Sequence, residues 1–141
     1  MKKFSLLNHV YQNTQMGVES LPLLASKSQD TPFRQAVDRQ WREYRKLNRQ
    51  AQELMQKHHI PAREVSSAAK MSATVMTNMK TLMDRSTSHL AEMVIQGNTM
   101  GVTQITRALH QDRDADPESR ALAERLLATT DQNLQELRKF L

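Results

Sequence analysis

The residues that could do chemistry here are first the carboxylates and histidines. Bundles that hold two metal ions between their helices use inward-facing glutamates and two Glu-x-x-His pairs, whose i, i+3 spacing puts both ligands on one side of a helix. This sequence has no Glu-x-x-His. It has the reversed pair His89-Leu90-Ala91-Glu92, and Glu43 and Glu19 complete the candidate set. Helical geometry, at roughly 100° per residue, tests whether they converge. The apolar stripe of the third helix centres on Leu90, Met93, Gly97 and Met100, which leaves His89 at its flank and Glu92 turned roughly 100–140° away. Glu19 points almost opposite its own stripe, Glu43 lies at a flank and Glu53 lies outside. Toward the C-terminus, Glu124 and Asp131 flank the stripe while Glu118 and Glu136 face out. The pattern predicts no catalytic, cofactor or metal site. An atypical metal-binding protein using His89, Glu92, Glu43 and Glu19 is the alternative.

Other chemistries fare no better. The absence of cysteine excludes thiol nucleophiles, zinc thiolates and disulfides. No Gly-x-Ser-x-Gly elbow or glycine-rich phosphate loop occurs. Met71, Met76, Met79, Met83, Met93 and Met100 fall mostly on one apolar face; thioethers bind Cu(I), but they also fill irregular cores and interfaces, which is the simpler reading. Arg39, Arg42, Lys46 and Arg49 share an outer face that could follow a phosphate backbone. Asp38, Glu43 and Glu53 interrupt it, and Trp41 and Tyr44, two of only six aromatic residues, are expected to face inward, so stacking platforms are missing. A nucleic-acid-associated basic protein is thus a third and weaker reading, even at a net charge of +5.

The elements that would position these residues are helices. Leu, Ala, Met, Gln, Arg and Lys abound, and only Gly17, Gly97 and Gly101 and four prolines interrupt them. Asp30-Thr31-Pro32 and Asp116-Pro117 each read as a capping residue with proline at the start of a helix. His58-His59-Ile60-Pro61 closes the second helix, because the residue before proline avoids the α region. Apolar residues at 3–4 spacing predict helices over about 4–28, 32–59, 87–111 and 117–140, in one domain spanning 1–141. Pro22 should kink the first helix or end it early. Residues 64–111 as one helix would measure roughly 70 Å. The capping-prone run Asp84-Arg85-Ser86-Thr87-Ser88 therefore predicts a break, with a connecting helix over about 65–83. Gly97 and Gly101, four residues apart, most simply permit close helix approach. No run approaches the roughly 20 apolar residues of a membrane span, and Met1-Lys2-Lys3-Phe4 does not begin a signal peptide, so a cytoplasmic protein is expected.

Two stretches, Leu7-Asn8-His9-Val10-Tyr11-Gln12-Asn13-Thr14-Gln15-Met16-Gly17 and Asp84-Arg85-Ser86-Thr87-Ser88-His89-Leu90-Ala91-Glu92-Met93-Val94-Ile95-Gln96-Gly97, resemble a group of uncharacterised bacterial proteins similar to ferritin-like four-helix families of unknown function. The resemblance covers most of the chain. It implies an all-α, ferritin-like antiparallel four-helix bundle with an extra connecting helix between the second and third helices. It implies no activity, since the iron ligands of ferritins have no matching positions here. The expected function is non-enzymatic and exerted through protein–protein contacts with an unknown partner. A homo-oligomer is expected as well, because Val94 and Ile95, like Val75 and Met76 upstream, widen the apolar stripe beyond one bundle face.

Overall fold

Helix starts follow local capping chemistry. The computed structural model describes residues 5–61 and 82–141 and contains α1 (Ser5–Lys27), α2 (Thr31–Lys57), α3 (Thr87–Gln111) and α4 (Pro117–Arg138), with no strand among the described residues. The side chains of Asp30, Ser86 and Asp116 accept hydrogen bonds from the backbone N–H groups of Phe33, His89 and Ser119, each three residues on. That pairing satisfies donors which the first helical turn leaves without a partner. Residues 82–86 are not helical, so the break before Thr87 is present and one continuous helix through 80–92 is excluded. The predicted connecting helix over 65–83, with Val75 and Met76, otherwise lies outside the described residues.

Two helix ends fall close to the expected positions but rest on contacts the sequence did not show. Pro22 does not end α1, which continues to Lys27. Proline has no N–H, so the Val18 carbonyl four residues earlier loses its helical donor. The Trp41 indole supplies one from α2, donating Nε1–H to the Val18 oxygen at 3.0 Å. At the end of α2 the stop is not Pro61 alone. His59 takes a left-handed conformation (φ 56°), with His59 N–H bonded to Gln56 O and Ile60 N–H to Met55 O. This is a Schellman closure, with histidine at the position glycine usually takes.

The helices pack so that α1 touches α2 and α3, and α4 touches α2 and α3. Between α1 and α2, Trp41 meets Val18, Tyr44 meets Gly17 and Asn48 meets Thr14, so numbers rise on one helix as they fall on the other. The same holds between α2 and α4: Arg39 with Glu136, Gln50 with Arg125, Lys57 with Glu118. By contrast α2 and α3 start at the same end, where Thr87 Oγ1 donates to Asp30 Oδ2. The core joins Leu6, Leu7, Val10, Phe33, Leu47, Leu90, Ile105, Leu126 and Leu137, and Phe140 meets Phe33 edge-on at 5.4 Å between ring centres.

The third helix is rotated from its expected phase. Its buried residues are Leu90, Ala91, Val94, Asn98, Gly101, Ile105, Ala108 and Leu109, whereas Met93 is half-buried and Gly97 and Met100 are exposed. Asn98 replaces Gly97 at the centre because a hydrogen-bond partner inside makes its burial tolerable. Only Gly101 serves close packing, with the Asn13 amide 2.5 Å from where a Cβ would stand. Val94 is a core residue and Ile95 packs against the core, so neither widens an outer surface.

Candidate functional site

The interior around the middle of α2 carries neutral polar side chains. Tyr44, 3% exposed, donates its hydroxyl to Asn98 Oδ1 at 3.0 Å and lies 3.2 Å from Thr130 Oγ1, which itself donates to the Leu126 carbonyl. One turn further along the same face of α2, Asn48 Nδ2 donates to Thr14 Oγ1 at 3.0 Å, and Thr14 donates back into its own helix at Val10. Gln40 and Asn133 are buried along the same inner faces. Burial holds the Tyr44 phenol above its ordinary range. The layer has donors and acceptors but no carboxylate. The one buried carboxylate among the described residues is Asp112, at the end of the bundle, where Oδ2 accepts the Leu6 N–H at 3.0 Å and so caps α1 from another element.

Glu19, Glu43 and Glu92 are exposed and His89 is half-buried; they are spread over three helices, and the structure brings no three of them together. Glu43 sits beside Glu136 and Arg39 near the surface; partial burial, then the Glu136 charge, raise its pKa against the opposing pull of Arg39. Among the basic residues, Arg39 pairs with Glu136 and Arg42 with Asp38, both at 2.8 Å. Trp41 is half-buried and covered by the Arg45 guanidinium at 5.3 Å, so its ring is not free to stack a base.

A different group was missed in the sequence. His58, Asp116 and Glu118 offer ligand atoms that all lie within 4.8 Å of one another, where the end of α2 meets the start of α4. His58 Nε2 stands 3.9 Å from Asp116 Oδ2. Burial pushes the Asp116 carboxyl up, but hydrogen bonds from the Ser119 hydroxyl and N–H, with His58 nearby, outweigh it and leave the pKa lowered. Each acid also has a structural task. Asp116 caps α4, and Glu118 binds the Lys57 ammonium at 2.8 Å, which raises the lysine pKa through that hydrogen bond. Residues so far apart in the chain carry no local signal of meeting; the only hint was the capping dipeptide Asp116-Pro117.

The outer surface divides by charge. α1 has Glu19 and Lys27, and α3 has Glu92 and Arg107, as their only acidic, lysine or arginine residues. On the opposite face α2 has seven basic and three acidic residues, and α4 three basic and four acidic. Among the described residues no helix is long and apolar enough to cross a membrane. Neither a protein-family model nor a curated relative nor a solved structure matches this chain.

Proposed function

We propose that this chain is a ferritin-like antiparallel four-helix bundle that lacks a buried metal centre and acts by contact with other protein chains. The ferritin-like reading is supported by the contact order. α2 ends beside the start of α4, yet α3 starts beside the start of α2, so the end of α2 and the start of α3 lie at opposite ends of the bundle, as in bundles with one long crossover. The functional reading is carried by the charge partition: a face depleted in charge and containing exposed methionine has the composition of an interface core, while the opposite face is solvated and basic.

Site-specific photo-crosslinking in producing cells tests it. Probes at positions 97 and 100 on α3 should give covalent protein adducts, and probes at 42 and 49 on α2 should give few. Equal yields from both faces, or none from either, would refute the reading.

The metal-binding alternative now has one observation in its favour, the His58–Asp116–Glu118 group. It requires stoichiometric metal in protein purified without chelator, lost in His58→Ala. Protein without metal removes the alternative, and metal retained in that variant removes this site.

A further inference from the structure

Gly97 is the residue the fold leaves unexplained. The other two glycines each have a neighbour that a side chain would press on: the Tyr44 ring 3.2 Å from a Cβ at Gly17, and the Asn13 amide 2.5 Å from one at Gly101. At Gly97 nothing among the described residues lies within 4 Å. A glycine in mid-helix weakens the helix relative to alanine, and no packing among the described residues uses the space it leaves. About one turn to either side stand Met93, half-buried, and Met100, 47% exposed. The Asn13–Gly101 and Leu6–Asp112 contacts set the register of α1 against α3. Counting from them puts half-buried Met16 level with Met100, and exposed Leu23 level with Met93.

We infer that this stripe is the contact between two copies of the chain, the Met100 side chain of each copy seating over Gly97 of the other. The inference rests on the reading of the α1/α3 face as a contact surface and names its partner. Two features select a second copy. A projection and a gap three residues apart on one stripe are complementary to themselves under a two-fold axis, which is the geometry of a closed isologous dimer. Charge points the same way. The chain carries +5, and two α2/α4 faces would oppose each other through the seven basic residues of α2. On α1 and α3 each sign occurs once per helix, so two such faces meet with no net repulsion.

Light scattering of the full chain across a dilution series is the test. The expected mass is twice 16.2 kDa, falling to one chain on dilution. Met100→Glu and Gly97→Gln should each weaken the dimer at least about tenfold, because a charge or a filled gap at a close-packed contact is worth that much. Gly97→Gln should also raise the melting temperature of the monomer, since glutamine favours helix and that site is open. Arg49→Glu on the opposite face should leave the mass unchanged. A single mass of one chain at every concentration overturns the inference, as does a dimer that survives both α3 variants. If the chain is monomeric while probes at 97 and 100 capture a different protein, the self-contact is wrong and the contact reading stands. If it is monomeric and captures nothing, both fall.

Discussion

Replacing Trp41 by phenylalanine should expose how α1 tolerates its internal proline. The Trp41 indole donates to the Val18 carbonyl at 3.0 Å, and Val18 is the residue whose helical acceptor Pro22 leaves without a donor. A net intramolecular hydrogen bond is worth about 1 kcal/mol, and a carbonyl left dry costs about 1–3 kcal/mol. Val18 is half-buried, so water relieves part of that cost and a value near the lower end, about 1 kcal/mol, belongs to the bond. Trp41→Phe also loses indole contact area and weakens the Arg45 interaction at 5.3 Å, so its total cost should be about 2 kcal/mol. Pro22→Ala restores an N–H to the Val18 carbonyl and should stabilise α1 by about 1–2 kcal/mol, less than the full penalty of about 3 kcal/mol for proline in a helix interior, because the native fold already accommodates the ring and the unfolded chain gains freedom. The informative quantity is the coupling. In the Pro22→Ala background the Val18 carbonyl has its own helical donor, so Trp41→Phe should cost about 1 kcal/mol less than in the native background. Lost packing cancels in that cycle. Urea unfolding of the four proteins, followed by far-ultraviolet circular dichroism, measures it; fluorescence would not serve, since Trp41 is the only tryptophan. Equal costs in both backgrounds would mean that Trp41 merely packs, and the account of Pro22 would be wrong.

Three further outcomes follow from the same structure. Gly17→Ala should destabilise by about 1 kcal/mol despite better helix propensity, because a Cβ would stand 3.2 Å from the Tyr44 ring, whose hydroxyl is held by Asn98; unfolding that moves to higher denaturant would refute it. His59→Gly should stabilise by about 1 kcal/mol by relieving the left-handed backbone at φ 56°, with a higher urea midpoint and unchanged slope as the readout. Asp116→Ala should cost about 1 kcal/mol at neutral pH through loss of the α4 cap. The folded Asp116 pKa lies below its ordinary 3.8, so the carboxylate stabilises the fold above that value, and this contribution is lost as the pH falls through the lowered one. The gap between wild type and variant should therefore shrink below about pH 4. A gap that stays constant into acid would locate the effect elsewhere.

The sequence by itself determined where helices begin and end, because those boundaries are made by neighbours. Asp30-Thr31-Pro32, Ser86-Thr87 and Asp116-Pro117 place the acceptor within three residues of its donor, and the first and last add a fixed proline φ, so the helix starts were legible to within a residue. The break before Thr87 was legible for the same reason. That Glu19 and Glu92 turn away from the core and Glu43 lies no nearer than its flank also followed from helical period alone. What tertiary structure decided was the fate of particular groups whose partners lie on another helix. Asn98 is inside because Tyr44 donates to it from α2, and a hydropathy stripe that counts Met93, Gly97 and Met100 as apolar or small cannot register that bond; hence the error in the phase of α3. Pro22 stays within α1 because Trp41, on the next helix, replaces the missing donor. His58, Asp116 and Glu118 meet only because α2 ends where α4 starts. A side chain's burial depends on whether its polar atoms find partners and its volume finds room, and both are supplied by elements distant in the chain.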